Sequence, residues 1–322
     1  MLLRRTALLG GLFGALGSAD ARAQAGPYPS RPIRLVLPYA TGGAADALAR
    51  AVGEHLREQL GQPVVVDSRP GANSQLGAEL VARAPKDGYT LLYVGWPTIS
   101  INTVLNRNPP YRPEDFQPIT PLFRTPTALA VKPDSAIRDF DGVVAAARAA
   151  GSLAYGTTGI GSSSHLLMAR QGERAGVTLQ NVPYRGEAPI MTDVIAGHLP
   201  LYVGSVSTAL EQHRAGTLRI IGTTAPERLP VLPDVSTFRE QGHGEMVFTY
   251  WHGVVAPAGV PAPVLAALHA GFTSAMRAPG VLARLSPDFT PFTLEPDAFA
   301  ALIRDDIATW EPVIRANRMM LE

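Results

Sequence analysis

The 322-residue chain is long enough for two domains that share a hinge, or for one large barrel, and too long for a single small module. With 46% hydrophobic and 17% charged residues and a formal charge of +1, it shows neither the signature of disorder nor the basic footprint of a nucleic-acid partner. Cysteine is absent, which removes disulfides, thiolate metal sites and a cysteine nucleophile together.

The amino terminus reads as a secretory signal over residues 1–23. Arg4 and Arg5 precede an apolar run from Ala7 to Leu16, and Ala21-Arg22-Ala23 forms an A-x-A cleavage site before Gln24. About ten apolar residues are too few for a bilayer core that needs roughly 20, so cleavage rather than anchoring is expected. The paired arginines fit either the general secretory or the twin-arginine route. Removing this segment, with its three arginines and one aspartate, takes the charge from +1 to −1.

Ile33 to Leu37 predicts a strand, and Leu48, Val52, Leu56 and Leu60 predict the helix after it, closed by Gly61. Val64-Val65-Val66 begins a second strand, residues 76–83 a second helix, and Thr90 to Val94 a third strand. This β-α-β-α-β run demands a parallel sheet with right-handed crossovers. Residues 106–127, rich in proline and poor in periodicity, read as a crossing between lobes. Strands then fit 128–132, 153–155, 179–182, 199–203 and 218–223, with helices near 139–150, 163–174, 187–197 and 207–215. A strand around 246–256 and helices near 263–277 and 296–316 return the chain to the first lobe. The expected division is lobe 1 over 24–125 and 246–322, and lobe 2 over 126–245.

Ligands of such sheets sit at the carboxyl ends of the strands, where several loops carry suggestive residues. Thr41-Gly42-Gly43-Ala44 joins the first strand to the first helix, where unpaired N–H groups favour an anion; a tight turn is the plainer alternative. Asp46 reads as a partner of the helix dipole. Thr158 and Ser162-Ser163-Ser164 repeat the arrangement in the second lobe, offering hydroxyls that bind a carboxylate or cap the helix. Asn73 and Ser74 stand at another strand-to-helix junction, where capping competes with contact. Trp96 ends the third strand and is expected as an exposed aromatic wall, or as lobe packing. Tyr184, Gly186 and Ser205 end later strands facing the same crevice. Glu187 either faces the crevice and selects against highly charged acids or simply starts a helix, and the helix role is favoured.

Enzymatic signatures are lacking. Ser163 or Ser164 cannot face His165 within one helical turn, and there is no G-x-S-x-G elbow. A serine hydrolase would need Ser164 or Thr158 to meet a distant base such as His198. The seven histidines show no zinc spacing, and neither G-x-G-x-x-G nor G-x-x-x-x-G-K-[ST] occurs, so no cofactor and no metal are expected.

Several segments read together as one family: Tyr28 to Ile33, Leu37-Pro38-Tyr39-Ala40-Thr41-Gly42-Gly43-Ala44-Ala45-Asp46, Gly61 to Ala72, Asp87-Gly88-Tyr89-Thr90-Leu91, Gly161 to Leu166, and Val182-Pro183-Tyr184-Arg185-Gly186. Leu232 to Val235 and Ala256 to Pro261 extend the match, in order, over the whole mature chain. The sequence closely resembles the Bug family of extracytoplasmic solute-binding proteins, receptors of tripartite tricarboxylate transporters. The resemblance implies an α/β, two-lobed periplasmic binding protein (a Venus flytrap, type II-like), each lobe a mainly parallel sheet flanked by helices. It implies no enzyme and a small organic carboxylate held by backbone N–H groups, hydroxyls and waters rather than an arginine clamp. Tyr39, Thr41, Gly42, Gly43 and Ala44 correspond to one jaw, and Ser162, Ser163 and Ser164 to the other, with Tyr184 and Gly186 beside them. The implied partners are membrane permease subunits, or a sensor kinase if the receptor serves sensing; a monomer is expected. Where relatives carry acidic residues this chain has His198 to Ser205, which argues against an amine-bearing ligand. Trp96 and Tyr39 suggest an aromatic or planar carboxylate.

Overall fold

The computed structural model describes residues 28–320, so the expected signal segment lies outside the described residues. Strand β1 (Ile33–Leu37) pairs in parallel with β2 (Val64–Ser68) and β3 (Thr90–Gly95). Helix α1 (Ala44–Leu60) makes the first crossover, burying Leu48, Ala49, Val52 and Leu56 at three- and four-residue spacing. Gly61 ends it in the left-handed conformation, φ 70°, its N–H donating to the Arg57 carbonyl. Helix α2 (Gln75–Ala82) returns to β3, and two short helices, α3 (Trp96–Ser100) and α4 (Asn102–Leu105), follow.

The later part of the proline-rich stretch is strand. It forms most of β4 (Phe116–Val131), the longest strand among the described residues. Residues 116–126 pair antiparallel with β9 (Thr249–Pro257), which also lies antiparallel to β3. Residues 127–131 pair instead with β7 (Tyr202–Ser205) and β8 (Arg219–Thr223). The register shifts between Pro118 and Thr120 and between Pro121 and Phe123, and Pro126 is the last residue paired with β9. Proline cannot donate to a ladder, so it settles at such irregularities, and this erases the alternation that would have announced a strand.

Beyond β4 a second sheet takes in β5 (Leu153–Thr157) and β6 (Leu179–Pro183), parallel to each other and to β7. Its crossovers are α5 (Phe140–Ala150), α6 (Ser163–Ala175), α7 (Glu187–Ala196) and α8 (Val206–Arg214). The strand path runs β2-β1-β3-β9-β4-β7-β5-β6: a parallel trio at each end, joined by the antiparallel β9 and β4. After β9 come α9 (Ala262–Ala275), the short α10 (Pro279–Leu282), the two-residue β10 (Thr290–Pro291) beside β4, and α11 (Pro296–Ala316).

Three apolar clusters form the core. One lies under α1 and α9, one under α7 and α8, and the largest continues through both halves from Trp96 and Leu105 to Tyr155, Leu166 and Phe238. Helix α11 closes this last cluster with Trp310, Val313 and Ile314, and it grips α6: Asn317 donates to Glu173 at 2.8 Å, and the Arg170 guanidinium sits 4.3 Å from the centre of the Trp310 ring. No helix among the described residues is long and apolar enough to cross a membrane.

Where β9 passes β4, Gly253 admits no side chain. A Cβ there would lie 2.9 Å from both the Pro121 Cα and the Thr120 carbonyl and 2.8 Å from Phe299. Because two of those neighbours are backbone, Gly253→Ala is expected to lower stability by ~1–3 kcal/mol, read as a reduced thermal midpoint.

Candidate functional site

A cavity of about 240 Å³ opens between the two halves at the carboxyl ends of β3 and β5. The first half contributes Tyr39, Asn73, Trp96 and Pro97; β9 contributes Tyr250 and His252. The second half contributes Thr158, Ile160, Gly161, Ser162 and Ser163 from the loop entering α6, and Glu187 from the start of α7. None of these residues is a lysine or arginine.

On the second-half side, Ser162 caps α6: its Oγ accepts from the His165 N–H at 3.3 Å and donates to the Gly159 carbonyl at 2.8 Å. Ser163, the first helical residue, lines the cavity, and its hydroxyl has no hydrogen-bond partner among the described residues. Four N–H groups at a helix start lack intrahelical acceptors, so partial positive charge gathers beside it. Ser164 turns inward, 3% exposed, with its Oγ 3.2 Å from that of Ser162. The His165 Nδ1 accepts from the Gly161 N–H, and the His198 side chain is 75% exposed beside Asp193, so neither histidine forms a hydrogen bond with Ser164.

Facing them is a ring cluster. His252 stacks on Phe123 at 4.8 Å and 13°, Phe123 stacks on Phe289 at 4.0 Å, and Tyr39 and Tyr250 flank His252 at 5.8 and 6.3 Å between centroids. Burial pushes the Tyr39 hydroxyl up to about 12. Burial, then the charges of Glu187 and Asp288, raises Tyr250 further, so both phenols stay protonated donors. Burial pulls His252 down to about 4, which leaves it neutral near pH 7. Tyr39 reaches its place only because Gly95 lacks a side chain: a Cβ there would come within 2.1 Å of the tyrosine oxygen.

Asn73 is held by a reciprocal pair, its amide donating to the Asn102 side chain at 2.8 Å while Asn102 donates to the Asn73 carbonyl at 2.7 Å. Ala72, Asn73 and Ser74 all have positive φ, from 45° to 69°, a backbone strain that this bonding supports. Of the two places expected for Trp96, exposed wall or packing, the structure shows packing. The ring is fully buried, edge-on to Phe248 and Trp310 at 5.4 and 5.7 Å, because α11 folds back over it.

The remaining sequence candidates stand elsewhere. Thr41, Gly42, Gly43 and Ala44 are exposed; the Gly42 N–H donates to Asp46 at 3.0 Å, and Ala44 borders a neighbouring cleft opposite Ala188, Met191, Ser207 and Thr208. Tyr184 spends its hydroxyl on Asp193 at 2.6 Å. Gly186, φ 103°, caps α7, and Ser205 lies behind Glu187. Sequence reading missed Tyr250 and His252, although their i, i+2 spacing on a strand put them on one face; for Glu187 it favoured helix initiation over a place in the crevice, and the residue has both. That reading also missed the acid beside Gly204. A Cβ at Gly204 would lie 2.8 Å from the Glu187 Oε1, so the carboxylate fills that space from the neighbouring helix. The acidity judged lost from 198–205 is present in the cavity.

Comparison with known proteins fits this geometry. Residues 48–319 match the "Tripartite tricarboxylate transporter family receptor". The chain belongs to this family. A Pseudomonas sp. (strain P51) protein from the tcbD-tcbE intergenic region is 35% identical over 98% of this chain and 95% of its own. BugT of Bordetella pertussis is 30% identical over 97% of both. Among solved structures, an R. palustris protein with adipate aligns at TM-score 0.77 and 29% identity, covering 89% of this chain and 97% of that one. MatC from Rhodopseudomonas palustris with bound malate aligns at 0.74 and 28%, covering 89% and 100%. This receptor is therefore a binding protein of the Bug type, with the two-lobed fold of periplasmic binding proteins, and not an enzyme.

The ring cluster carries one expectation and the buried titratable groups another. In Gly95→Ala the obstacle is the far end of a side chain, so Tyr39 should swing away and solute binding should weaken, with a thermal midpoint near that of the wild type. The second concerns pH. Burial holds His165, like His252, at about 4, so from about 6.5 down to about 4 the unfolded chain takes up protons that these two refuse when folded. Asp306, pushed up to about 6 by burial, opposes this below about 6 because its folded form takes the proton first. Two histidines outweigh one aspartate, so the midpoint should fall as pH drops through this window, and less steeply in His252→Phe, which keeps the ring stack.

Proposed function

We propose that this receptor captures a small organic carboxylate in the cavity between its halves, outside the cytoplasmic membrane, and delivers it to the permease subunits of a tripartite transporter. The observation that carries this reading is the cavity itself, to which both halves contribute donors and neither contributes a cation. The Ser163 and Thr158 hydroxyls, the N–H groups entering α6, the Asn73 amide and the Tyr39 and Tyr250 phenols supply what a carboxylate needs. A hydrogen bond to a charged group contributes ~1.5–3 kcal/mol and a helix terminus up to ~2, so a few such contacts reach micromolar affinity after the cost of ordering.

In this reading the lobes divide near 125/126 and 245/246, with β4 and β9 as the crossings, and closure brings Thr41 to Ala44 toward the guest. Ser162, Ser164, Tyr184, Gly186 and Ser205 then shape the loops that carry the contacts. The protein acts as a monomer and reaches the periplasm through removal of residues 1–23. Relatives of known structure hold malate and adipate, which supports a small acid as the guest. The stacked rings around His252 favour a planar or aromatic body, held between Tyr39 and Tyr250 rather than against Trp96. A cavity of about 240 Å³ lies below the ~300–1,000 Å³ usual for drug-sized ligands and limits the guest to roughly one ring.

Isothermal titration with benzoate and its ring-substituted derivatives, against citrate and short aliphatic acids, tests both levels. Binding of any of these acids, weakened about tenfold or more in Ser163→Ala, is the expected result. Tight citrate binding with silent aromatics would remove the planar guest, and affinity untouched in Ser163→Ala would remove this cavity as the site.

A further inference from the structure

Glu187 is an unexpected wall for an anion receptor. It is the one acidic side chain among the described residues that line the cavity, the same chemical class as the guest's own carboxylate. The protein also holds it rigidly. Its Oε1 accepts the Ser205 N–H at 2.9 Å; its Oε2 accepts the Ser205 hydroxyl and lies 2.9 Å from the Tyr202 hydroxyl, which shares its proton with the Ser205 carbonyl at 3.0 Å. Tyr202 is buried and Ser205 caps α8, so three donors from β7 and its end fix the carboxylate against the cavity. A carboxylate offers about four acceptor positions, and at most three are used within the protein.

We propose that Glu187 sets the specificity of this receptor for monocarboxylates whose far end donates a hydrogen bond, a hydroxyl or an amino group, and against dicarboxylates. This rests on the cavity being the solute site. The guest's carboxylate takes the end formed by the α6 entry loop, where Ser163 and free N–H groups gather partial positive charge. Its far end then meets the open acceptor position of Glu187. A second carboxylate placed there faces a like charge with no arginine or lysine in the cavity wall to compensate, and Tyr250, whose own ionisation Glu187 opposes, offers only a neutral phenol. A simple apolar end leaves a buried acceptor of Glu187 unpaired, which a site built to hydrogen-bond its guest penalises.

The test uses pairs of acids matched in length, titrated calorimetrically into the mature receptor: 6-hydroxyhexanoate against adipate, and 4-hydroxybenzoate against terephthalate. Whichever carbon skeleton fits, the hydroxy acid should bind at least about tenfold more tightly than its diacid. Glu187→Gln removes the charge and keeps the helix position, and should bring the two to within about threefold by admitting the diacid. A wild-type receptor that takes the diacid as tightly as the hydroxy acid overturns the proposal even if the variant does not fold. So does a folded Glu187→Gln that keeps the original preference. Silence from all four acids, and from the wider panel, overturns the cavity as the solute site and this inference with it, whereas binding without discrimination overturns Glu187 alone.

Discussion

Two antiparallel strands hold this molecule together. β4 and β9 run side by side through its middle, and each parallel trio of strands is attached to them, one through the pairing of β3 with β9 and the other through that of β7 with β4. A parallel sheet cannot extend itself from one lobe into another without a crossover helix. The antiparallel pair removes that need and sets the carboxyl ends of β3 and β5 on either side of one space. The close contact at Gly253 is a consequence: the strands that fix the distance between lobes are themselves packed against Phe299 with no room left over.

The cavity then solves an electrostatic problem without a cation. Tyrosines kept protonated by burial, a histidine kept neutral by burial, and a helix start with unpaired N–H groups give a donor-rich surface of zero formal charge, except at Glu187. Fixed dipoles of this kind impose direction, since each donor points one way and rewards a carboxylate only where several converge. A lysine or arginine would attract any anion from a wider range of angles.

Much of this was legible in the sequence, for physical reasons. Elements buried on one face announce themselves by period, which is why β1 through β3 and the helices of the second half could be read directly. The strand of residues 116–131 could not, because Pro118, Pro121 and Pro126 sit at its irregularities and disguise it. Position in the chain also located the α6 entry loop and Asn73 at strand ends. What escaped depends on contacts made across long distances. Trp96 looked like a cleft aromatic until α11, two hundred residues later, covered it with Trp310. Glu187 looked like a helix start, which it is, but no local rule reveals that Gly204 leaves a space shaped for its carboxylate.

The grip of α11 on α6 gives the clamshell a strap across its back. The Asn317–Glu173 hydrogen bond and the Arg170–Trp310 stack lie together on the outer side of α6, so both join α11 to the second half at one place. The helix whose first residue, Ser163, meets the cavity is thus tethered at its far end to the first half of the molecule.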